Sequence, residues 1–193
     1  MKSIMQVIIL LIISVTLVYG KELNVDKGKN NLVKFISDAS LEQFEGITNS
    51  IDGYMYWEGM DLTEESRLYF EVDLDAIDTG IGLRNRHMRE NYLETDKFRF
   101  TNFSGKITEV LSTGSNTYDV KAKGTISIHG VVKPLTITAT ISMNSESKYN
   151  VKSMFEVKLS DFDIEVPSIM FLKLSELIKV VVDFSMIETN TAG

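Results

Sequence analysis

The sequence predicts an all-β fold: one extended antiparallel barrel of about eight strands, with a short helical or looped segment around residues 83–93. Three observations carry this. Apolar residues recur with period two through most of the chain, which places them on one face of a strand. Clusters of turn-forming residues separate the alternating runs. Several runs reach eleven or twelve residues, against roughly five or six in an ordinary strand. Long one-faced strands in meander order close into a barrel and lose their edges. A two-sheet sandwich satisfies the same pattern and stays open as the competing architecture.

The first two runs are expected near 32–37, after Asn30-Asn31, and 47–57. The third, near 66–77, follows the breakers from Gly59 to Glu65 and alternates Leu68, Phe70, Val72 and Leu74 with Tyr69, Glu71, Asp73 and Asp75. A fourth lies near 98–110, and the stretch Ser112 to Asn116 turns it into a fifth near 117–129. There Tyr118, Val120, Ala122, Ile126 and Ile128 oppose Asp119, Lys121, Lys123, Thr125 and Ser127. Pro134 opens the sixth run, 134–144, where a missing amide donor does least harm, and Leu135, Ile137, Ala139 and Ile141 alternate with threonines. The seventh, 150–161, carries Val151, Ser153, Phe155, Val157 and Leu159 on one parity. The eighth, 177–188, carries Ile178, Val180, Val182, Phe184 and Met186. One dry and one wet face per strand is the signature of an antiparallel sheet.

Two stretches break the rhythm. Leu83 to Leu93 is rich in Arg, Asn, Met and Glu. Phe162 to Glu176 is an irregular connection whose Ile169, Met170, Phe171, Leu172 and Leu174 are expected to fold over an opening or cap one end of the sheet.

Ahead of the strands, Met1-Lys2 is followed by an apolar run from Ile4 to Val18 and small residues up to Gly20. This reads as a signal peptide, residues 1–20, because the run is short against the roughly 20 residues that span a bilayer. An uncleaved anchor is the competing reading. The domain is expected over 21–187, with a flexible tail at 188–193. Export without a single cysteine fits a bacterial periplasm, with secretion as the alternative.

The 193 residues are 44% hydrophobic and 24% charged, a globular balance that excludes wholesale disorder. A net charge of −7 argues against nucleic acid as a partner. The absence of Cys removes disulfides, thiolate metal sites and thiol catalysis, and only His87 and His129 remain as imidazoles. None of the G-x-S-x-G, P-loop, H-E-x-x-H or G-x-G-x-x-G motifs occurs. No catalytic residue, metal site or cofactor is therefore expected, and a binding protein is favoured over an enzyme.

Two sets of residues remain as candidates. The inward parity includes Phe70, Val72, Val120, Ala122, Ile126, Ile137, Ala139, Phe155, Val182 and Phe184. These either line a ligand cavity or form an ordinary packed core; the many Met and Phe residues suit both. Arg84, Arg86, His87 and Arg89 concentrate positive charge in an acidic chain. They form a solvated loop or a site for an anionic head group, for which Arg has the right fork. In a structural role, Arg84 would pair with Asp78, and His87 would pin the loop to a strand end. His129, before Gly130, is expected at a turn on the rim.

Three blocks resemble the YceI-like family. Asp75-Ala76-Ile77-Asp78-Thr79-Gly80, Leu83-Arg84-Asn85-Arg86-His87-Met88-Arg89 and Tyr92 to Phe98 resemble its central signature. Gly124-Thr125-Ile126-Ser127-Ile128-His129-Gly130-Val131-Val132-Lys133-Pro134-Leu135-Thr136 is similar to its strand–turn–strand block. Phe44-Glu45-Gly46-Ile47-Thr48 and Ile51-Asp52-Gly53 resemble its paired glycine segments. The chain departs from the pattern at Asn85, where the family has Asp, and at Met88, where it has Leu. An N-terminal His of the family has no counterpart around Asn31 to Ala39. The resemblance implies a lipocalin-like barrel exported to the periplasm. It further implies a long apolar ligand, of polyisoprenoid or quinone kind, held inside for carriage or sequestration, with Arg84 and His87 at the mouth. Transient membrane contact follows as a possible partner interaction. The alternative is a stress-related or interaction protein whose barrel is filled by its own side chains; an enzyme acting on a lipid is a third reading.

Overall fold

The computed structural model describes residues 20–29, 31–38, 43–59, 61–144, 148–165, 168–169, 172–173 and 175–189. The expected signal peptide up to residue 19 and the end of the expected tail from 190 lie outside the described residues, as do Met170, Phe171 and Leu174 of the apolar connection.

The strands are β1 (Gly20–Val25), β2 (Leu32–Asp38), β3 (Gln43–Thr48), β4 (Ile51–Glu58), β5 (Arg67–Asp73), β6 (Phe100–Gly114), β7 (Thr117–Ile128), β8 (Val131–Met143), β9 (Lys148–Lys158), β10 (Ser168–Ile169), β11 (Leu172–Lys173) and β12 (Leu177–Glu188). A short helix, α1 (Gly82–His87), runs into a wide turn over Met88–Tyr92. The sheet runs β1-β4-β5-β6-β7-β8-β9-β12, and β12 pairs back onto β1 through Leu23↔Glu188 and Val25↔Met186. Every pairing is antiparallel, and the β1–β12 pairing closes the ring.

Both β1 and β2 lie against β12, and both β3 and β4 continue one line, so each pair makes one interrupted barrel strand. Counted that way, the barrel has the eight strands the alternation predicts. The sandwich is excluded by the β1–β12 closure. The helical segment falls where the strand rhythm stops. The sequence pattern alone misses β1, because only Leu23 and Val25 alternate in it and it follows directly on the apolar run of the sequence. At the other end β12 includes Glu188, and the Thr189 N–H donates to the Glu22 carbonyl at 3.0 Å.

The break between β1 and β2 is closed by a buried side chain. Asn31 Oδ1 accepts from the Ser185 N–H at 3.0 Å, and its Nδ2 donates to the Asp26 carbonyl at 3.1 Å. The amide thus replaces the ladder bonds that the chain gives up there. The β7–β8 connection is tight: His129 and Gly130 both take positive φ, 50° and 76°, between the paired Ile128 and Val131. That is the twist a two-residue hairpin needs.

The two ends of the barrel differ. At the end where β4–β5, β6–β7 and β8–β9 turn, Leu23, Val25, Trp57 and Met186 are at most 5% exposed. Leu62, Tyr118 and Tyr149 pack against them, and this end is closed. The other end carries α1, the β2–β3 connection and the turns after β7 and β9.

Candidate functional site

Toward the α1 end the inward side chains leave the barrel unfilled, although the Phe70 and Phe184 rings, from strands that are not neighbours, meet with centroids 5.1 Å apart. Together the inward side chains surround a cavity of about 710 Å³, within the roughly 300–1,000 Å³ of ordinary ligand pockets. Val72, Ile137, Ala139, Phe155, Val180 and Val182 point inward with the core yet remain only half-buried, because they face this space. All ten residues of the inward parity named above border it: Phe70, Val72, Val120, Ala122, Ile126, Ile137, Ala139, Phe155, Val182 and Phe184. Val120, Ala122, Ile126 and Phe184 are buried among their neighbours, whereas the other six are more open. The wall is larger than that set and includes Val33, Phe35, Phe103, Leu135 and Val180.

Part of the hollow comes from glycine. Gly46 faces Phe35 across the β2–β3 pairing, and Gly53 faces Phe70 across β4–β5. A Cβ at Gly46 would overlap the Phe35 ring, and one at Gly53, where φ is +142°, would first overlap the Tyr69 carbonyl oxygen and the Phe70 backbone. Bare backbone lets the Phe35 ring lie against Gly46 and lets β4 and β5 approach closely at Gly53. This gives a physical reason for glycine in the Phe44-Glu45-Gly46 and Ile51-Asp52-Gly53 segments.

Three hydroxyls in the wall are engaged with the chain itself. The Ser153 hydroxyl donates to the Thr138 carbonyl at 2.6 Å, the Thr101 hydroxyl donates to the Ser127 carbonyl at 2.8 Å, and Thr48 Oγ1 accepts from the Ser50 N–H at 3.0 Å. What the deep cavity offers a ligand is therefore an apolar surface.

At the mouth, Phe35 and Phe44 meet edge to face at 5.5 Å, and the Arg84 guanidinium lies over the Phe44 ring at 5.1 Å. Arg84 and His87 both border the cavity. Arg84 does not pair with Asp78. Its Nε donates to Thr79 Oγ1 at 2.8 Å and its Nη2 to the Thr79 carbonyl. Asp78 is taken by Asn85, whose Nδ2 donates to it at 2.7 Å. Asn85 Oδ1 in turn accepts from the Thr79 N–H and hydroxyl, at 2.8 and 2.6 Å. An Asp at position 85 would set two carboxylates against each other, so the amide suits this neighbourhood. The Asn85 hydrogen bond, followed by the Gly80 N–H and the Arg89 charge, holds the Asp78 carboxyl below the usual carboxylate range. This network ties α1 to the wall, since the helix has no side-chain N-cap and buries no residue.

His87 is exposed and has no hydrogen-bond partner among the described residues. The pinning role falls to His129. Its Nδ1 faces the Phe162 carbonyl and its Nε2 faces Glu94 Oε2, both at 3.1 Å, and its ring meets Phe98 at 4.6 Å. One imidazole thus joins the β7–β8 turn, the segment after α1 and the turn after β9. Glu94 is held below the ordinary carboxylate range by Lys97 first and His129 second. Arg86 is exposed, while Arg89 donates from Nη2 to the Ile77 carbonyl at 3.1 Å. The positive run is therefore divided between structure and solvent. Among the described residues, no three His, Asp or Glu side chains gather as a metal site.

A closed eight-stranded antiparallel barrel, apolar and hollow toward one end, defines a lipocalin-like cavity barrel. The YceI-like domain pattern matches residues 23–186, and the chain belongs to the YceI-like family. A UPF0312 protein of Pseudomonas fluorescens is 30% identical over 142 residues, covering 68% of this chain and 69% of that protein. Among solved structures, BcnA of Burkholderia cenocepacia superposes with a TM-score of 0.67 at 16% identity, covering 83% of this chain and 98% of its own. A polyisoprenoid-binding domain from Saccharophagus degradans gives 0.66 at 14% identity, covering 86% and 98%. These two likenesses concern the fold.

Proposed function

We propose that this protein is an exported, non-enzymatic binding protein that holds a long apolar ligand, a polyisoprenoid, quinone or related lipid, inside the barrel for carriage or sequestration. The observation that carries this is the cavity of about 710 Å³ with its apolar wall. A chain inside it gains about 0.8 kcal/mol per buried CH₂ and needs no catalytic group. The fold-level likeness to a polyisoprenoid-binding domain supports the ligand class. Arg84, with part of its guanidinium engaged at Thr79, and the exposed His87 would face a polar or anionic head at the mouth. Export to the periplasm is supported by the charged start and short apolar run before Lys21.

The side-chain-filled barrel is disfavoured by the half-buried inward residues. The experiment is native mass spectrometry of protein purified from its own host, before and after solvent extraction. A discrete added mass that the solvent removes, and that is recovered as a lipid, is expected. Unadorned protein that also fails to take up added isoprenoid lipid would contradict the proposal.

A further inference from the structure

Part of the cavity's cover is fastened by a side chain where the sheet stops. Among the described residues the β8–β9 ladder runs from Met143↔Tyr149 to Ala139↔Ser153 and ends there. Beyond that rung β8 stays paired with β7 and β9 with β12, but β8 and β9 do not pair with each other. At the far end of this seam His129 Nδ1 meets the Phe162 carbonyl, which fastens the β7–β8 turn to the turn after β9. Nε2 of the same ring fastens that turn to Glu94, in the segment after α1. The three segments so joined supply Ile128, Leu93, Leu159 and Ile164 to the cavity wall.

The joint is strained. His129, Glu94 and Asp163, the last next to Phe162, take φ of 50°, 44° and 55°. They are three of the four non-glycine residues with left-handed backbone among the described residues, a conformation that persists only where the surroundings hold it. The joint also depends on a proton. Its two partners, a carbonyl and a carboxylate, are both acceptors, and Glu94 is kept ionised by Lys97 first and the imidazole second. A neutral imidazole has one N–H to give, so only the imidazolium satisfies both. The His129 side chain is 11% exposed, which limits replacement of a lost partner by water. The other charged groups on or beside the joined segments, Asp96, Lys133, Asp161 and Asp163, are exposed.

We infer that His129 is a proton-controlled latch on the cavity: the imidazolium holds the cover shut, and loss of its proton frees one joined segment and lets ligand exchange. The sign follows from the donor count. The latch is closed on the acid side and opens as pH rises. The inference rests on the ligand reading above and adds the condition under which ligand passes.

The test is stopped-flow release of pyrenedecanol, an alkyl probe without an ionisable group, from the purified protein at about pH 6 and about pH 9. Amide hydrogen exchange of residues 159–164, corrected for the intrinsic effect of pH, is the second readout. Wild-type release should be at least about tenfold faster at the higher pH, the scale of one charge-assisted hydrogen bond, and protection of 159–164 should fall with it. His129→Asn, which tolerates left-handed backbone but lacks the reach, should release fast at both pH values. Glu94→Gln separates the latch from any other titration. Its carboxamide N–H can donate to a neutral Nε2 while Nδ1–H still donates to Phe162, so release should stay slow at both pH values. Equal wild-type rates and protection at the two pH values would overturn the latch and leave the ligand reading standing. A pH response that persists in His129→Asn or in Glu94→Gln would do the same. Wild-type protein that takes up no probe at either pH overturns the ligand reading, and the hydrogen-exchange comparison then decides the latch by itself.

Discussion

The two ends of this barrel follow the same sequence rule and reach opposite results. Along β12 the inward residues are Ile178, Val180, Val182, Phe184 and Met186, one unbroken alternation. Met186, at the closed end, is fully buried beside Leu23 and Trp57. Val182 and Val180, four and six residues earlier, border the cavity and are half-buried. Period two decides which face a side chain takes. It does not decide whether the space opposite is filled, because that depends on residues from other strands that meet only in the folded ring.

The largest expected effect comes from truncating the same kind of side chain at the two ends. Leu23→Ala opens a void in a packed region and should lose about 2–5 kcal/mol in urea unfolding. Val180→Ala removes atoms that already face open space and should lose less than about 1.5 kcal/mol. Equal losses would mean that the two ends are packed alike.

A second contrast lies at the mouth. Arg84→Gln removes the guanidinium bonds to Thr79 and should lower stability by about 1.5–3 kcal/mol, the range for charge-assisted hydrogen bonds. If Arg84 also meets an anionic head, isoprenoid phosphate should weaken relative to isoprenoid alcohol in the same variant. Parallel losses for both ligands would confine Arg84 to holding the loop.

Enlargement sharpens the comparison within the wall itself. Ala122 is 3% exposed between β6 and β8, so Ala122→Phe should lose about 1–3 kcal/mol by overpacking. Ala139 is more open to the cavity. Ala139→Phe should leave the melting temperature near that of the wild type while reducing the lipid that co-purifies. A steep fall in melting temperature with unchanged lipid would favour a filled barrel.

The smallest effect is acid sensitivity at the α1 end. Arg99, donating to Asp73 at 2.7 Å, is the main cause holding the Asp73 carboxyl below its ordinary range. Glu94 is lowered in the same direction by Lys97. A lowered carboxylate stabilises the fold above its unfolded pKa, and that contribution disappears as pH falls through the folded pKa. The melting temperature should therefore be flat from neutral pH down to about 5 and decline below about 4. Because Arg99 is exposed, the Asp73 share is no more than about 1 kcal/mol. Asp73→Asn should remove part of the decline.

Much of the barrel was legible in the sequence, because alternation is a local property. The runs from Leu68 to Leu74 and from Ile178 to Met186 each gave their inward face without error. β1 was hidden by its shortness and by the apolar run that precedes it in the sequence. Of the site, the wall residues were legible as a face, whereas the hollow was not. Phe35 on Gly46 and Phe70 on Gly53 are cross-strand facts, visible beforehand only as the glycine segments of the family resemblance. Thr79 as the partner of Arg84, and His129 as the clasp between Glu94 and the Phe162 carbonyl, depend on loop geometry that spacing does not encode.

The most direct measurement is calorimetric affinity for a series of isoprenoid or alkyl chains of increasing length. If the α1 end of the barrel is the ligand site and the Leu23–Trp57–Met186 end is its floor, affinity should rise by about 0.8 kcal/mol per added CH₂ and then level off once the chain reaches the floor. Saturable binding with that rise and plateau is the predicted result. Absence of saturable binding, or an affinity indifferent to chain length, would contradict it.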